Sequence, residues 1–307
     1  MPTKPLESIL YRDLSKAEAK EIIEIASPLL QELVNYAANA LARCATSNSL
    51  SGKADEDIAI LALYRHIIEL TDGIEVLLSQ SCSMATIPLL RSSFEALLSI
   101  EYILENEANY VQRSLAWIVG YVHKRIDMYE RLDPSTNKGQ EAKKLFDDDS
   151  AMTIIRTPIA PLADVQKAKE KLQSMLTKPH LQIIEAEYSK YTKPKWYRLF
   201  GGPNDLRTLA QRLRRGGHYE ILYRQWSTTA HAQDFLPFID RTDEGKSAIK
   251  RLRDPSRIKE IAGLAAIFIL RATRLILKKL RSGEDLAPWY KREVQQLYRA
   301  ICGTEKL

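Results

Sequence analysis

The most hydrophobic stretch of the chain reads IAGLAAIFIL and occupies residues 261–270. Arg271 and Arg274 close it, so the stretch falls well short of the roughly 20 apolar residues that a membrane-spanning helix needs. We therefore expect a buried helix at this position and no membrane contact. The stretch predicts a helical core.

Helical periodicity runs through most of the remaining chain. From Ser15 to Leu41 the apolar residues recur at helical spacing, which predicts a long N-terminal helix. Ser15 and Glu18 match a capping box, and Pro28 predicts a bend. No alternating strand pattern and no repeat of fixed period is present, so we predict an all-α multi-helix bundle or array without a sheet of three or more strands. Further helical patterns cover residues 58–79, 84–107, 109–132, 162–176, 181–190, 206–214, 219–232, 258–279 and 289–301.

The patterns divide the chain into three regions. We predict an N-terminal helical region over residues 1–56, a core helical domain over 57–240, and C-terminal helices over 241–307 that pack on the core. The core domain is expected to carry the polar motifs. Its segment near 135–160 is predicted to be a polar insert, because an acidic triplet and two prolines interrupt the helical pattern there.

The positive charge of the chain is concentrated in two segments. The formal net charge is +6, but residues 190–224 contain nine basic and two acidic residues, and residues 250–281 contain ten basic and two acidic. Clustered cations are typical of a polyanionic partner such as nucleic acid. The alternative is that these charges only solvate helix faces. The candidate nucleic-acid contacts are Lys193, Lys195, Arg198, Arg212, Arg214 and Arg215.

Three aromatic residues stand beside the first basic segment. Trp196, Tyr197 and Phe200 could stack on bases next to phosphate contacts, or could equally anchor a loop to the protein core. The pattern alone leaves both interpretations open.

Several classes of site and compartment are disfavoured by the sequence. The three cysteines are far apart and form no Cys-x-x-Cys pair, and the charged N-terminus lacks the apolar run of an export signal, so we expect a cytoplasmic protein. The five histidines have no metal-ligand spacing, and the glycine pairs lack a phosphate-binding pattern. We therefore expect no metal and no cofactor.

Two charged residues interrupt an otherwise apolar helical pattern. Arg91 and Glu95 are one helical turn apart, so both project from the same side. Charged groups in an apolar helix are costly unless they are paired or functional. The two residues are either a structural ion pair or part of a site.

A second polar motif lies in the later helical pattern at residues 219–232. Tyr223, Ser227 and His231 follow one another at four-residue spacing, and Arg224 precedes His231 by seven residues, close to two helical turns. A cation and a titratable imidazole are the minimum for metal-free RNA cleavage, since one stabilises phosphorane charge and the other moves the proton of the 2′-hydroxyl. The alternative is a histidine that satisfies hydrogen bonds in the core.

These motifs together resemble a bacterial family of helical proteins of unknown function. The resemblance rests on Arg91-x-x-Phe94-Glu95, the Trp196 segment and Tyr223-x-x-x-Ser227-x-x-x-His231, and would cover roughly residues 58–238. It implies that Arg91, Glu95, Tyr223, Ser227 and His231 converge in space.

Arg224-Gln225 followed by His231 also resembles the Arg-polar-x-His signature of HEPN-type ribonucleases, with six residues between the arginine and the histidine. That resemblance implies a helical protein of toxin–antitoxin or phage-defence systems that usually acts as a dimer.

The sequence thus supports two hypotheses. The first is a metal-independent endoribonuclease that acts as a toxin or defence effector, with RNA as substrate and a second copy or an operon-encoded protein as partner. The second is a non-enzymatic helical module that binds protein or nucleic acid and uses the same polar residues for buried hydrogen bonding. In the first hypothesis His231 is the general acid or base, Arg224 the stabilising cation, Ser227 and Tyr223 orienting residues, and Arg91 with Glu95 the supporting residues.

Overall fold

The computed structural model describes residues 12–51, 54–149, 162–230, 239–241, 245, 247–250 and 252–303. These residues are predominantly helical, so the predicted all-α fold is confirmed. The helices are α1 (Arg12–Glu18), α2 (Lys20–Ser51), α3 (Ala54–Ser79), α4 (Ile87–Ile103), α5 (Tyr110–Leu132), α6 (Asn137–Asp148), α7 (Leu162–Leu176), α8 (Gln182–Tyr188), α9 (Leu206–Arg212), α10 (Gly216–His218), α11 (Arg224–Ala230), α12 (Ile258–Leu280), α13 (Ala287–Trp289) and α14 (Gln295–Cys302). Turns of π-helix at Tyr219–Tyr223 and Tyr290–Val294 join α10 to α11 and α13 to α14.

The long N-terminal helix is present as α2, which has 32 residues. Pro28 lies inside α2 without ending it. The predicted capping box is wrong, because α1 already begins at Arg12 and places Ser15 within a helix. The chain turns at Ala19, whose side chain is buried, and α2 begins after it.

The chain forms two compact units whose limits differ from the predicted regions. One unit comprises Met1–Glu105 and Ala210–Leu307, and the other comprises Asn106–Leu209. The predicted boundaries at residues 56 and 240 do not coincide with this division. The physical reason is that α2, from the N-terminal region, and α12, from the C-terminal region, pack against each other and against α3.

The buried helix expected at residues 261–270 is the centre of α12. This helix packs on α2, α3, α4 and α14, and most of its side chains between Ile258 and Leu277 are buried. Among these buried side chains Thr273 is polar. Its hydroxyl accepts a 2.8 Å hydrogen bond from the Tyr64 hydroxyl and donates to the carbonyl of Ile269. None of the helices in the described ranges is long and apolar enough to cross a membrane.

The second unit is built around α5, which packs with α6, α7, α8 and a 3-10 segment at Trp196–Gly201. Trp196 is half-buried against the core of this unit and Tyr197 is buried, so these two aromatic residues anchor the loop, whereas Phe200 is 37% exposed. A Cβ atom at Gly120 would lie 2.9 Å from the Cβ atom of Trp196, which explains the glycine at this point of α5. The core residues are Leu115, Ala116, Val119, Leu181, Ile184 and Leu199.

The predicted polar insert contains a helix, α6, in its first half. The Thr136 hydroxyl caps this helix by accepting a 3.0 Å hydrogen bond from the backbone N–H of Gly139. A Cβ atom at Gly139 would lie 1.8 Å from the carbonyl oxygen of Asp133, so the tight turn admits only glycine. Residues 150–161 lie outside the described ranges.

One short antiparallel ribbon occurs between α11 and α12. Strand β1 (Ile239–Arg241) pairs with β2 (Ser247–Ile249), with Asp240 opposite Ala248. The sequence did not predict these strands, because three residues are too few to display an alternating pattern. In the described part of the chain they form a sheet of two strands, which agrees with the prediction of no larger sheet.

Two substitutions in α12 test its burial. Ile269 is fully buried and Ile267 is 36% exposed on the same helix. We expect Ile269→Ala to lower the free energy of unfolding by about 2–5 kcal/mol, because it removes packed methyl groups and leaves a cavity. Ile267→Ala should change it by less than about 1 kcal/mol. Urea unfolding of both variants measures the difference, and equal effects would contradict the buried position of α12.

Candidate functional site

The charged pair predicted in an apolar helix lies on α4. Leu90 and Phe94 of α4 are buried in the core of the first unit. Arg91 and Glu95 lie at the edge of this core, with side chains 23% and 44% exposed, and the Arg91 Nε lies 3.4 Å from the Glu95 Oε1. The pair is therefore partly shielded from water rather than fully solvated.

The Tyr223 side chain connects to both members of this pair. The Arg91 Nη2 donates a 2.9 Å hydrogen bond to the Tyr223 hydroxyl, which itself donates a 2.7 Å hydrogen bond to the Glu95 Oε1. The Arg91 guanidinium also lies 4.9 Å from the centroid of the Tyr223 ring. The three side chains form a closed hydrogen-bonded cluster that joins the π-helical turn to α4.

The environment of Tyr223 keeps its hydroxyl neutral. Burial, helped by the hydrogen bond to Glu95 and opposed by Arg91, raises the pKa of Tyr223 to about 12. At pH 7 the hydroxyl is therefore protonated and can act as a hydrogen-bond donor, not as a base. This chemistry suits a residue that holds other groups in position.

Tyr223 and Arg224 point in different directions. Consecutive residues of a helix lie roughly 100° apart around its axis, so they do not share a face. The Tyr223 side chain is buried, whereas the Arg224 side chain is 63% exposed and its Nη1 lies 2.8 Å from the Glu220 Oε2. Arg224 thus faces away from the cluster of Arg91, Glu95 and Tyr223.

Two further residues, Ser227 and His231, were predicted to belong to the site. Ser227 is half-exposed on α11, and its hydroxyl forms no hydrogen bond within the described ranges. His231 lies outside the described residues, so of the residues expected to converge, the structure brings together Arg91, Glu95 and Tyr223. The catalytic and supporting roles of all these residues stay predictions.

Phe94 of α4 is surrounded by aromatic rings from the later helices. Its centroid lies 6.3 Å from that of His218, 6.0 Å from that of Tyr223, 6.4 Å from that of Trp226 and 5.7 Å from that of Phe268. His218 and Tyr223 therefore both contact Phe94, although they are five positions apart in the chain. The ring of Phe94 therefore provides apolar packing beside the cluster of Arg91, Glu95 and Tyr223.

Sequence reasoning missed His218 as a neighbour of the site. Burial, reinforced by the positive charge of Arg215, lowers the pKa of His218. Its imidazole is therefore neutral at pH 7. A spacing of five residues lies on one helical face only when a π turn intervenes, and the ordinary helical repeat gave no signal for it.

Two of the predicted nucleic-acid contacts instead pair with carboxylates near the end of α4. Arg212 makes a two-pronged ion pair with Glu105, with its Nη2 2.8 Å from the Oε2. Arg215 donates a 2.7 Å hydrogen bond to Glu101, whose same oxygen accepts a 2.9 Å bond from Arg271. These contacts hold the segment after α9 against α4. They also reduce the positive charge that Arg212 and Arg215 can offer to a polyanion.

Of the candidate nucleic-acid contacts in the second unit, some are likewise engaged by neighbouring side chains and others are not. Lys193 pairs with Asp127 at 3.0 Å. The Arg198 guanidinium lies 4.9 Å from the centroid of the Tyr191 ring. Three of the six candidates are exposed and have no ion-pair partner within the described ranges: Lys195, Arg198 and Arg214.

The described residues show no metal-binding geometry. No three His, Cys, Asp or Glu side chains come together in a possible metal site among those that the structure describes. The polar clusters found there consist of ion pairs and hydrogen bonds.

The polar cluster and the helices that carry it fall within one sequence family. The family of unknown function DUF5677 matches residues 57–247, which is more than half of the chain. This chain belongs to DUF5677. The resemblance to a helical family of unknown function, expected over residues 58–238, is thereby confirmed. No curated protein and no solved structure matches the chain.

The DUF5677 match contains all the residues on which the two predicted functions depend, from Arg91 and Glu95 to Tyr223, Arg224 and His231. It excludes α12 and α14. The family description names no activity, so the resemblance to HEPN-type ribonucleases stays a prediction.

Removal of the Tyr223 hydroxyl tests whether the hydrogen-bonded cluster stabilises this DUF5677 protein. We expect Tyr223→Phe to lower the free energy of unfolding by about 1.5–3 kcal/mol, because it removes hydrogen bonds to two charged partners while keeping the ring. Tyr219→Phe is the matched control: its ring stacks on that of Tyr223 at 5.0 Å, but its hydroxyl has no hydrogen bond within the described ranges. Chemical unfolding should show little change for the control, and equal losses would rule out the cluster as the cause.

The raised pKa of Tyr223 predicts how this difference depends on pH. The folded-state pKa of about 12 exceeds the usual tyrosine value of about 10. The hydroxyl therefore contributes its full stabilisation below pH 10 and loses it as the pH rises towards 12. The gap in unfolding free energy between the wild type and Tyr223→Phe should stay constant from pH 7 to 9 and narrow above pH 10. A gap that widens above pH 10 would reverse the assigned direction.

Proposed function

We propose that this DUF5677 protein is a metal-independent endoribonuclease that acts in the cytosol as a toxin or phage-defence effector, in the manner of HEPN-type ribonucleases. The observation that carries the proposal is the position of Arg224 on α11. Its side chain is 63% exposed and precedes His231 by seven residues. An accessible guanidinium and an imidazole two helical turns later in the sequence would supply a cation and a proton carrier.

In the proposed reaction His231 accepts the proton of a ribose 2′-hydroxyl. The 2′-oxygen attacks the adjacent phosphorus, and the bond from phosphorus to the 5′-oxygen of the next nucleotide breaks. The protonated imidazole returns its proton to that departing oxygen, which leaves a 2′,3′-cyclic phosphate and a 5′-hydroxyl. Arg224 stabilises the negative charge on the phosphorane. No metal takes part in these steps.

In the proposed reaction, the cluster of Arg91, Glu95 and Tyr223 would hold the catalytic segment in position. Tyr223 precedes Arg224 directly, and its hydroxyl is tied to both Arg91 and Glu95. This connection fixes the start of α11 against α4 and keeps Arg224 on the outer side. Arg91, Glu95 and Tyr223 are thus positioning residues in the proposal, and Ser227, one turn after Tyr223, orients substrate or imidazole.

RNA is the proposed partner, and the exposed cations Lys195, Arg198 and Arg214 are its proposed phosphate contacts. A homodimer, or a complex with a protein from the same operon, is proposed by analogy with HEPN-type ribonucleases. The ion-paired residues Lys193, Arg212 and Arg215 would contribute less, because a carboxylate already neutralises each of them.

The closed geometry of the cluster supports a second candidate function. The Tyr223 hydroxyl uses its donor and its acceptor within the protein, so the cluster also suits a structural role in a non-enzymatic module that binds protein or nucleic acid. In that case the exposed cations would bind RNA without cleaving it.

Cleavage of total bacterial RNA and of a labelled RNA oligonucleotide, with a chelator present, tests the proposal. We expect Arg224→Ala to lower the cleavage rate by about 10²- to 10³-fold. We expect His231→Ala to lower it by about 10²- to 10⁴-fold. Arg65→Ala is the matched control, since Arg65 is also exposed and pairs with a glutamate one turn away, at 3.1 Å.

The melting temperature of each variant separates chemistry from folding. Arg224→Ala and His231→Ala should melt like the wild type and lose toxicity in cells. A His231→Ala protein that melts normally and cleaves RNA at the wild-type rate would eliminate the assigned base. A wild type that binds RNA but never cleaves it would favour the binding module.

A further inference from the structure

An apolar groove runs along α12 on the side that faces α13 and α14. Its volume is about 630 Å³, within the range of about 300–1,000 Å³ that is common for small-molecule sites. Leu270 and Leu277 of α12 contribute buried apolar surface, and Tyr290 and Tyr298 form the facing wall. Ile267, which is 36% exposed, lies on the same surface of α12.

Basic side chains line the same groove. Arg271, Arg274 and Lys278 follow one another along α12 at spacings of three and four residues, so they lie on one helical face. Lys291 lies on the other side of the groove. Arg271 is held by Glu101 at 2.9 Å. Arg274, Lys278 and Lys291 have no ion-pair partner in the part of the chain that the structure describes.

The acidic residues of the groove are already engaged. Glu284 accepts hydrogen bonds from Arg43 and from Arg281, and these bonds lower the pKa of Glu284. Asp285 accepts a 2.9 Å hydrogen bond from the backbone N–H of Ala287. Glu284 is thus neutralised by two arginines. Asp285 keeps its negative charge but forms no ion pair with Arg274, Lys278 or Lys291 in the described part of the chain, so three cations outnumber one carboxylate in the groove.

We propose that this groove binds an amphipathic anion, a small molecule with an apolar chain or ring and a phosphate or carboxylate head group. The apolar part lies between α12 and the tyrosines of the facing wall, and the head group meets Arg274, Lys278 and Lys291. The groove is formed by residues 267–298 and lies outside the range matched by DUF5677. The proposal does not depend on ribonuclease activity.

Calorimetric titration of the full chain with dodecyl phosphate, below its micelle concentration, tests this ligand class. Dodecyltrimethylammonium is the control with the same chain and opposite charge. We expect saturable binding of the phosphate and none of the cation. Decyl phosphate, which is two methylenes shorter, should bind roughly 15-fold more weakly, since each buried methylene contributes about a fourfold change in affinity. Dodecanoate tests whether the site accepts a carboxylate as well as a phosphate.

Two sets of variants locate the binding. Arg274→Gln with Lys278→Gln should weaken dodecyl phosphate binding by about 5- to 30-fold, as two exposed charge contacts are lost. The matched control, Lys20→Gln with Lys259→Gln, removes the same charge from exposed positions that do not line the groove. Ile267→Ser should weaken binding without changing the net charge.

Three results with the ligands or with the charge variants would each overturn the proposal. These are no saturable binding of dodecyl phosphate by the wild type, equal binding of the cationic analogue, or equal affinity of the groove and control double variants. An Ile267→Ser protein that binds as tightly as the wild type, together with a weakened Arg274 and Lys278 variant, would reduce the site to a surface anion contact and would equally overturn an amphipathic ligand. Thermal melting of each variant confirms that the compared proteins are folded.

Discussion

α12 can be buried only if helices from both parts of the chain surround it. Its side chains are apolar on most sides, and the cost of leaving them in water is on the order of 1.5–3 kcal/mol for each large residue. The helices α2, α3 and α4 cover it from the N-terminal side of the sequence, and α14 covers it from the C-terminal side. This requirement places both ends of the described chain in one unit.

The cluster of Arg91, Glu95 and Tyr223 solves a second problem of burial. Two charged groups on an apolar helix would lose part of their hydration without adequate compensation. A tyrosine hydroxyl can donate to the carboxylate and accept from the guanidinium at once, while its ring packs on Phe94. The neutral hydroxyl brings no third charge to the site. The next residue, Arg224, points in another direction, since neighbouring residues of a helix do not share a face, and it is exposed.

Much of this arrangement could be predicted because its signals are local. The helical repeat located most helices to within a few residues, and the end of α5 at Leu132 followed from Asp133-Pro134. The convergence of Arg91, Glu95 and Tyr223 could be expected because polar groups in apolar helices need partners.

Other features depend on information that no local pattern carries. Glu105 and Arg212 are 107 residues apart, and Glu101 and Arg215 are 114 apart, so nothing in the basic segment reveals that its charges are neutralised. The π turn at Tyr219–Tyr223 breaks the ordinary repeat, and its extra residue explains why His218 was missed as a neighbour of Tyr223. The division into units depends on which apolar faces meet, which the order of the helices does not determine.

The discontinuous first unit has a consequence for synthesis on the ribosome. α4 ends at Ile103 and α12 begins at Ile258, so about 155 residues separate the core helices from the helix that covers them. At roughly 5–20 residues per second, translation of that distance takes on the order of 8–30 s. During this time α2, α3 and α4 present apolar surface to solvent, while the second unit is synthesised and completed. The nascent chain is therefore a suitable client for chaperones that bind exposed hydrophobic segments during elongation.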